Sequence, residues 1–225
     1  HVLLDGLTAL DSSIPVLSEE DANIAQDVRA GWSRWWLVDP LDGTKEFICG
    51  SEEFTVNIAL IEHGRVVFGV VSMPTSGRCY YGGADLGAWR AEGDKVERIN
   101  VRTAPPVGEP LTVVASRRHS SPAQEQLLAG LSEHLGDLKL TSAGSSLKFC
   151  LLAEGAADCY PRLAPTSQWD TAAAQGVLEG AGGVVLQLDG QPFTYPARAS
   201  LLNDSFLALP EKAPWRETLL ELVHK

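Results

Sequence analysis

Apolar and polar positions along this chain follow two different periods. Val2, Leu3, Leu4, Leu7 and Leu10 recur at helical spacing, so residues 1–10 are expected to form a helix. Residues 14–17 read as a buried strand that ends in Ser18-Glu19-Glu20, and 21–34 as a polar loop. The run Trp35-Trp36-Leu37-Val38 reads as a strand leading into Asp39-Pro40-Leu41-Asp42-Gly43-Thr44. Two β-rich runs, 54–61 and 66–72, are joined by Glu62-His63-Gly64-Arg65 and predict an antiparallel hairpin. Further short strands are expected at 78–82, 87–91 and 95–99, making the first part mainly an antiparallel sheet. Three prolines within 103–110 mark a boundary, which divides the chain into lobes 1–104 and 105–225.

Beyond that boundary the pattern alternates between the two periods. Strands are expected at 111–115, 138–141, 157–160, 183–188 and 203–209. Helices are expected at 121–135 (opened by Ser121-Pro122), 145–154, 168–179 and 214–223. Strands alternating with helices imply a second sheet covered by helices, so the fold class is layered α/β (α+β).

Composition narrows the function. With 225 residues the chain can bury a substantial core, and its 44% hydrophobic and 21% charged residues are ordinary for a globular protein. The formal charge of −11 argues against nucleic acid and anionic membranes as partners. Cys49, Cys79, Cys150 and Cys159 form no CxxC pair and are expected to be reduced and buried in a cytoplasmic protein. No apolar run reaches the roughly 20 residues needed to cross a bilayer.

Four carboxylates stand at the end of an expected strand or the start of an expected helix: Glu19, Asp39, Asp42 and Asp170. Such positions converge on one crevice in layered α/β proteins. Carboxylate and carbonyl oxygens suit a hard cation such as Mg²⁺, and main-chain N–H groups at a helix start suit phosphate oxygens. Taken alone, Asp170 in Trp169-Asp170-Thr171-Ala172-Ala173 reads better as a helix cap, and Asp42-Gly43 could be a plain turn.

Taken together, Ser18-Glu19-Glu20, Asp39-Pro40-Leu41-Asp42-Gly43-Thr44-Lys45-Glu46-Phe47 and Trp169-Asp170-Thr171-Ala172-Ala173 resemble the lithium-sensitive, magnesium-dependent phosphatase superfamily. That superfamily includes inositol monophosphatases, fructose-1,6-bisphosphatases and 3′(2′),5′-bisphosphate nucleotidases. The resemblance covers nearly the whole chain. It implies an αβαβα sugar-phosphatase fold with two or three Mg²⁺ ions and inhibition by Li⁺. Carried onto this sequence, it makes Glu19, Asp39, Asp42, Asp170 and the Leu41 carbonyl metal ligands. Glu19 also partners the attacking water, and the Thr44 hydroxyl helps deprotonate it. The N–H groups of Gly43 and Thr44 hold the scissile phosphate. Superfamily members also carry an upstream Thr-x-x-Asp loop, which would fall before His1. The natural protein is therefore expected to be longer, with Thr44 lacking its carboxylate partner in this stretch.

Lys45-Glu46-Phe47 after the Asp-Gly-Thr resembles the bisphosphate nucleotidase branch, where inositol monophosphatases usually have Thr-Asn-Phe. In that branch the residues matching His119, Ser145, Lys148 and Arg162 contact the ribose-phosphate and the non-scissile phosphate. The resemblance thus implies hydrolysis of adenosine 3′,5′-bisphosphate to AMP by a monomer or homodimer. An inositol or sugar monophosphatase and a non-catalytic, metal-dependent nucleotide-binding module remain as alternatives. Trp32, Trp35, Trp36 and Trp89 are expected to pack rather than to stack on adenine.

Overall fold

The computed structural model describes residues 2–115 and 121–224. It opens with helix α1 (Val2–Leu10) and strand β1 (Val16–Ser18). The stretch expected to be a loop contains helix α2 (Gln26–Ala30). Its buried Arg29 donates to the carbonyls of Ile24 (3.0 Å) and Arg198 (2.9 Å). A five-residue helix carries too little periodicity to be read in sequence, and distant contacts hold it.

Strand β2 (Arg34–Asp42) runs through the whole acidic motif rather than stopping before it. Helix α3 (Thr44–Ile48) follows, then β3 (Thr55–Glu62) and β4 (Arg65–Met73). The last two are joined at His63 (φ 49°) and Gly64 (φ 77°), the left-handed pair that a two-residue hairpin turn requires. With β5 (Arg78–Gly83), β6 (Gly87–Glu92) and β7 (Lys95–Ile99) they form a seven-stranded sheet in chain order. Only β1 against β2 is parallel within it.

The second part contains β8 (Leu111–Val114), α4 (Pro122–Leu135), β9 (Leu138–Thr141), α5 (Leu147–Ala153), β10 (Tyr160–Arg162) and β11 (Thr166–Ser167). It ends with α6 (Gln168–Gly180), β12 (Gly183–Gln187), β13 (Leu202–Asn203), β14 (Phe206–Pro210) and α7 (Arg216–Val223). The Ser121 hydroxyl caps α4 by accepting the Gln124 N–H at 3.2 Å. The single strand expected at 203–209 is broken into β13, paired with β11, and β14, paired with β10 and β12.

Strand β14 explains the layering. Phe206 and Ala208 join one buried cluster with Phe149, Tyr160 and Phe193, while Leu207 and Leu209 join another with Leu127, Leu131, Trp215 and Leu219. The strand is therefore buried on both faces, as its continuous apolar run requires. The resulting order is large sheet, α5 with α6, small sheet, α4 with α7. Helix α6 lies close on the large sheet because Ala172, Ala173, Ala174 and Gly176 present little bulk there. A Cβ on Gly176 would sit 2.9 Å from the Gly69 nitrogen. This approach fixes where the first turn of α6 falls.

The four cysteines are free, and Cys79 is only partly buried; Cys49 is exposed, against the expectation of burial. It follows the last turn of the short helix α3, on a loop at the surface. Trp35 is buried, and Trp89 stacks on Tyr81 with ring centroids 5.8 Å apart, so both pack as expected.

Across the expected boundary, Arg102 forms a two-pronged salt bridge with Asp158, at 2.7 and 2.6 Å. Asp158 is wholly buried and also accepts the Thr112 N–H at 2.6 Å. Arg102→Ala should destabilise the fold by about 3–5 kcal/mol, because it leaves a buried carboxylate with one main-chain donor. Chemical denaturation measures this, and a loss under about 1 kcal/mol would mean that the bridge contributes little.

Candidate active site

Residues three apart in a regular strand point to opposite faces, so Asp39 and Asp42 should diverge. Here they do not. Asp39 is opposite Asn57 and Asp42 is opposite Thr55, so two residues of β2, Pro40 and Leu41, face one residue of β3. This bulge brings both carboxylates to the same face as Thr55 and Asn57, and Pro40, with no N–H to give a ladder, sits in it. One oxygen of Asp42 accepts from Ser146 Oγ at 3.0 Å and Asn57 Nδ2 at 3.2 Å. An oxygen of Asp39 accepts the Leu41 N–H at 2.9 Å. Asp170, in the first turn of α6, accepts the Ser167 N–H at 2.7 Å and so completes a capping box with Ser167.

One carboxylate oxygen from each of Asp39, Asp42 and Asp170 lies within 4.8 Å of the others. Glu19, exposed on the turn after β1, is outside this tight group, yet its charge still acts on Asp39 and Asp170. Burial, followed by the charge of Asp42, pushes Asp39 well above the usual carboxylate range. The same two causes raise Asp170 to about 7. Burial also raises Asp42, opposed by the Lys148 ammonium and by the hydrogen bonds from Ser146 and Asn57. Three converging, desolvated carboxylates repel one another, and a hard cation among their oxygens relieves that repulsion.

Asp42 and Asp170 line a cavity of about 340 Å³ that also takes in Lys148, Arg162, Glu46 and Glu53. Lys148 donates to the carbonyls of Ser145 (2.7 Å) and Ala143 (3.3 Å), and its ammonium lies 5.8 Å from the centre of the Tyr160 ring. Burial lowers its pKa, and the charge of Asp42 works the other way. Arg162 donates to the carbonyls of Ala164 (3.2 Å) and Pro165 (3.4 Å).

Gly43 has φ 93°, and a Cβ there would run into Ser145 Oγ, so the position needs glycine on both counts. The exposed Thr44 opens α3, with its hydroxyl 3.4 Å from the Leu41 carbonyl. The Ser145 hydroxyl, expected on the substrate, lies within hydrogen-bond distance of the Asp42 (2.8 Å) and Glu53 (3.0 Å) carbonyls. His119, with Arg117 and Arg118, falls outside the described residues.

Sequence reading passed over Thr55, Asn57, Ser146 and Glu53. A signal existed for two of them. Thr55 and Asn57 are polar at alternate positions of a strand whose next inward residues are Ala59 and Ile61. Polar groups at the end of a core-facing stripe mark a site rather than a core.

The sequence profile of the inositol monophosphatase family matches residues 1–224. The chain belongs to this family. The 3′(2′),5′-bisphosphate nucleotidase CysQ of Escherichia coli K12 is 49% identical over 205 residues, covering 91% of this chain and 79% of that one. The CysQ of Haemophilus influenzae is 34% identical over 215 residues, covering 95% and 78%. The crystal structure of CysQ from Bacteroides thetaiotaomicron, described as a bacterial member of the inositol monophosphatase family, superposes with a TM-score of 0.82. Its identity is 38%, over 92% of this chain and 81% of that one.

The inositol monophosphatase family is metal-dependent, and the donors present here fit a metal. They are all oxygen, they converge, and burial raises the proton affinity of all three. A bound divalent cation in such a site lowers the pKa of water and offsets charge on a transferring phosphoryl group. Among the described residues, no helix is long and apolar enough to cross a membrane.

Proposed function

We propose that the chain removes the 3′-phosphate of adenosine 3′,5′-bisphosphate, giving AMP and inorganic phosphate. The observation that carries this reading is a single cavity lined both by the carboxylates Asp42 and Asp170 and by the basic pair Lys148 and Arg162. A monophosphate ester has no second phosphate for that pair to hold. The similarity to bisphosphate nucleotidases over nine-tenths of the chain supports the same substrate.

In this reading Mg²⁺ is held by Asp39, Asp42, Asp170, Glu19 and the Leu41 carbonyl, and Li⁺ inhibits. The N–H groups of Gly43 and Thr44 hold the scissile phosphate. Glu19 orients the attacking water, and the Thr44 hydroxyl helps to take its proton. The water oxygen bonds to phosphorus, the bond from phosphorus to the 3′-oxygen breaks, and that oxygen leaves as a hydroxyl after gaining a proton. Residues 1–104 and 105–225 act as two lobes with the site between them. The enzyme works in the cytoplasm on a small nucleotide, as a monomer or homodimer.

A phosphate-release panel of adenosine 3′,5′-bisphosphate, inositol 1-phosphate and fructose 1,6-bisphosphate, with and without Li⁺, tests the reading. The nucleotide should give the highest kcat/KM. Preference for inositol 1-phosphate would transfer the assignment to the monophosphatases, and binding without turnover would leave a nucleotide-binding module. Arg162→Ala should raise KM for the bisphosphate about tenfold, the loss of one charge-assisted contact, with inositol 1-phosphate little affected. Equal losses on both substrates would remove the second-phosphate role.

A further inference from the structure

Three segments meet at one corner of the cavity: the acidic motif, the loop before β3, and the turn before α5. Ser145 reaches the Asp42 carbonyl directly, and Glu53 holds the same turn from the loop before β3. Its Oε2 accepts the Gly144 N–H at 3.0 Å, and its main-chain carbonyl lies 3.0 Å from Ser145 Oγ. A Cβ on Gly144 would stand 2.6 Å from the Glu53 carbonyl oxygen, so the turn is seated directly against this residue. Ser145 is held at φ 48°, a conformation that serine rarely adopts unless its surroundings impose it. The carbonyls of that same turn, at Ala143 and Ser145, receive the Lys148 ammonium. The place of the cation is thus set by a turn that Glu53 clamps.

A carboxylate beside an anion pocket is otherwise a disadvantage, since its charge opposes a bound phosphate. The geometry points to Glu53 as a positioning residue for recognition of the non-scissile phosphate, acting through Gly144, Ser145 and Lys148 and touching no reacting atom. The inference rests on the bisphosphate reading above.

Two substitutions separate reach from charge. Glu53→Asp keeps the charge but draws the carboxylate back from the Gly144 N–H. Glu53→Gln keeps an oxygen of the same reach and loses the charge. Kinetics on adenosine 3′,5′-bisphosphate and inositol 1-phosphate are paired with calorimetric binding of AMP, which carries only the 5′-phosphate. Glu53→Asp should raise KM for the bisphosphate and Kd for AMP by about tenfold, as expected for losing one charge-assisted hydrogen bond, with KM for inositol 1-phosphate unchanged. Glu53→Gln should stay within about threefold of the parent on all three readouts, since it retains that bond.

Four results would overturn the role: an unchanged Glu53→Asp, a Glu53→Gln that binds more than about threefold tighter than the parent, a Glu53→Gln as impaired as the Asp variant, or equal losses on both substrates. Should Glu53→Asp fold poorly, Gly144→Ala, which forces the same turn away from Glu53, carries the same expectation. A parent that binds AMP but hydrolyses no bisphosphate refutes the functional reading and leaves the calorimetry to decide on Glu53. A parent that hydrolyses the bisphosphate without binding AMP leaves the KM values to decide on Glu53, and one that does neither removes both.

Discussion

Asp39→Asn should lower phosphate release on the order of a thousand-fold and, in the same protein, raise the melting temperature measured in EDTA. The two effects have one cause. Asp39 is almost completely buried, and burial together with the neighbouring charge of Asp42 makes its ionised form costly. Asparagine has nearly the same shape and keeps the oxygen that accepts the Leu41 N–H, so the local packing should survive. What goes is a carboxyl that the metal-free fold can keep only by binding a proton or by ionising against Asp42, Glu19 and Asp170, a cost on the order of a few kcal/mol at neutral pH. For a chain of this size the gain corresponds to roughly 5–10 °C. In the proposed function, activity depends on a group that the metal-free fold tolerates badly. Differential scanning in EDTA and a phosphate-release assay check the pair. A variant with activity within tenfold of the parent, or with a lower melting temperature, would break the link.

Metal-free protein should lose stability as pH rises from about 4 to about 7, and a divalent cation should restore it, most strongly at the alkaline end. Asp170 has its pKa raised from 3.8 to about 7. Below pH 4 it is protonated in both folded and unfolded chains and adds nothing to the pH dependence. Between 4 and 7 the unfolded chain releases this proton while the folded chain retains it, which favours unfolding. Above 7 both forms are ionised and the penalty is complete, up to roughly 4 kcal/mol for this group. Asp39, raised by the same causes, continues the trend to higher pH. A cation competes with those protons, so its stabilising effect should grow with pH. At a concentration of 100 times Kd it should add about 2.7 kcal/mol. Melting temperatures across pH 4–8, in EDTA and in Mg²⁺, measure both arms. Metal-free stability that increases over this range, or a Mg²⁺ effect independent of pH, would contradict the account.

Much of the fold can be read from local pattern because the forces involved are local. The strands at 95–99 and 138–141 coincide with β7 and β9, and the helix expected at 168–179 is α6 to within one residue. In each case side-chain period and flanking turn residues point the same way. Helix α2 is the counter-example, since Arg29 reaches carbonyls at Ile24 and Arg198 and only the second-half partner explains its order. The candidate site divides similarly. The motif residues Asp39, Asp42 and Asp170 stand out by type and position, and the structure places all three within 4.8 Å. Ser145 was legible as a site residue, but its hydroxyl lies against the Asp42 and Glu53 carbonyls rather than being held free for a ligand.

The sequence by itself determined which side chains are candidates for the chemistry, which family's motifs they form, and where the β-rich part yields to the alternating part. Tertiary structure alone decided how the carboxylates converge. A strand with period two sends Asp39 and Asp42 to opposite faces, and only the bulge against Asn57 and Thr55 returns them to one. Asp170 joins them because the small residues of α6 let that helix lie against Gly69 of the sheet. Both features depend on pairing with residues distant in the chain. A periodicity is a property of neighbours, whereas register and close approach are properties of the partner, and the partner exists only once the chain has folded.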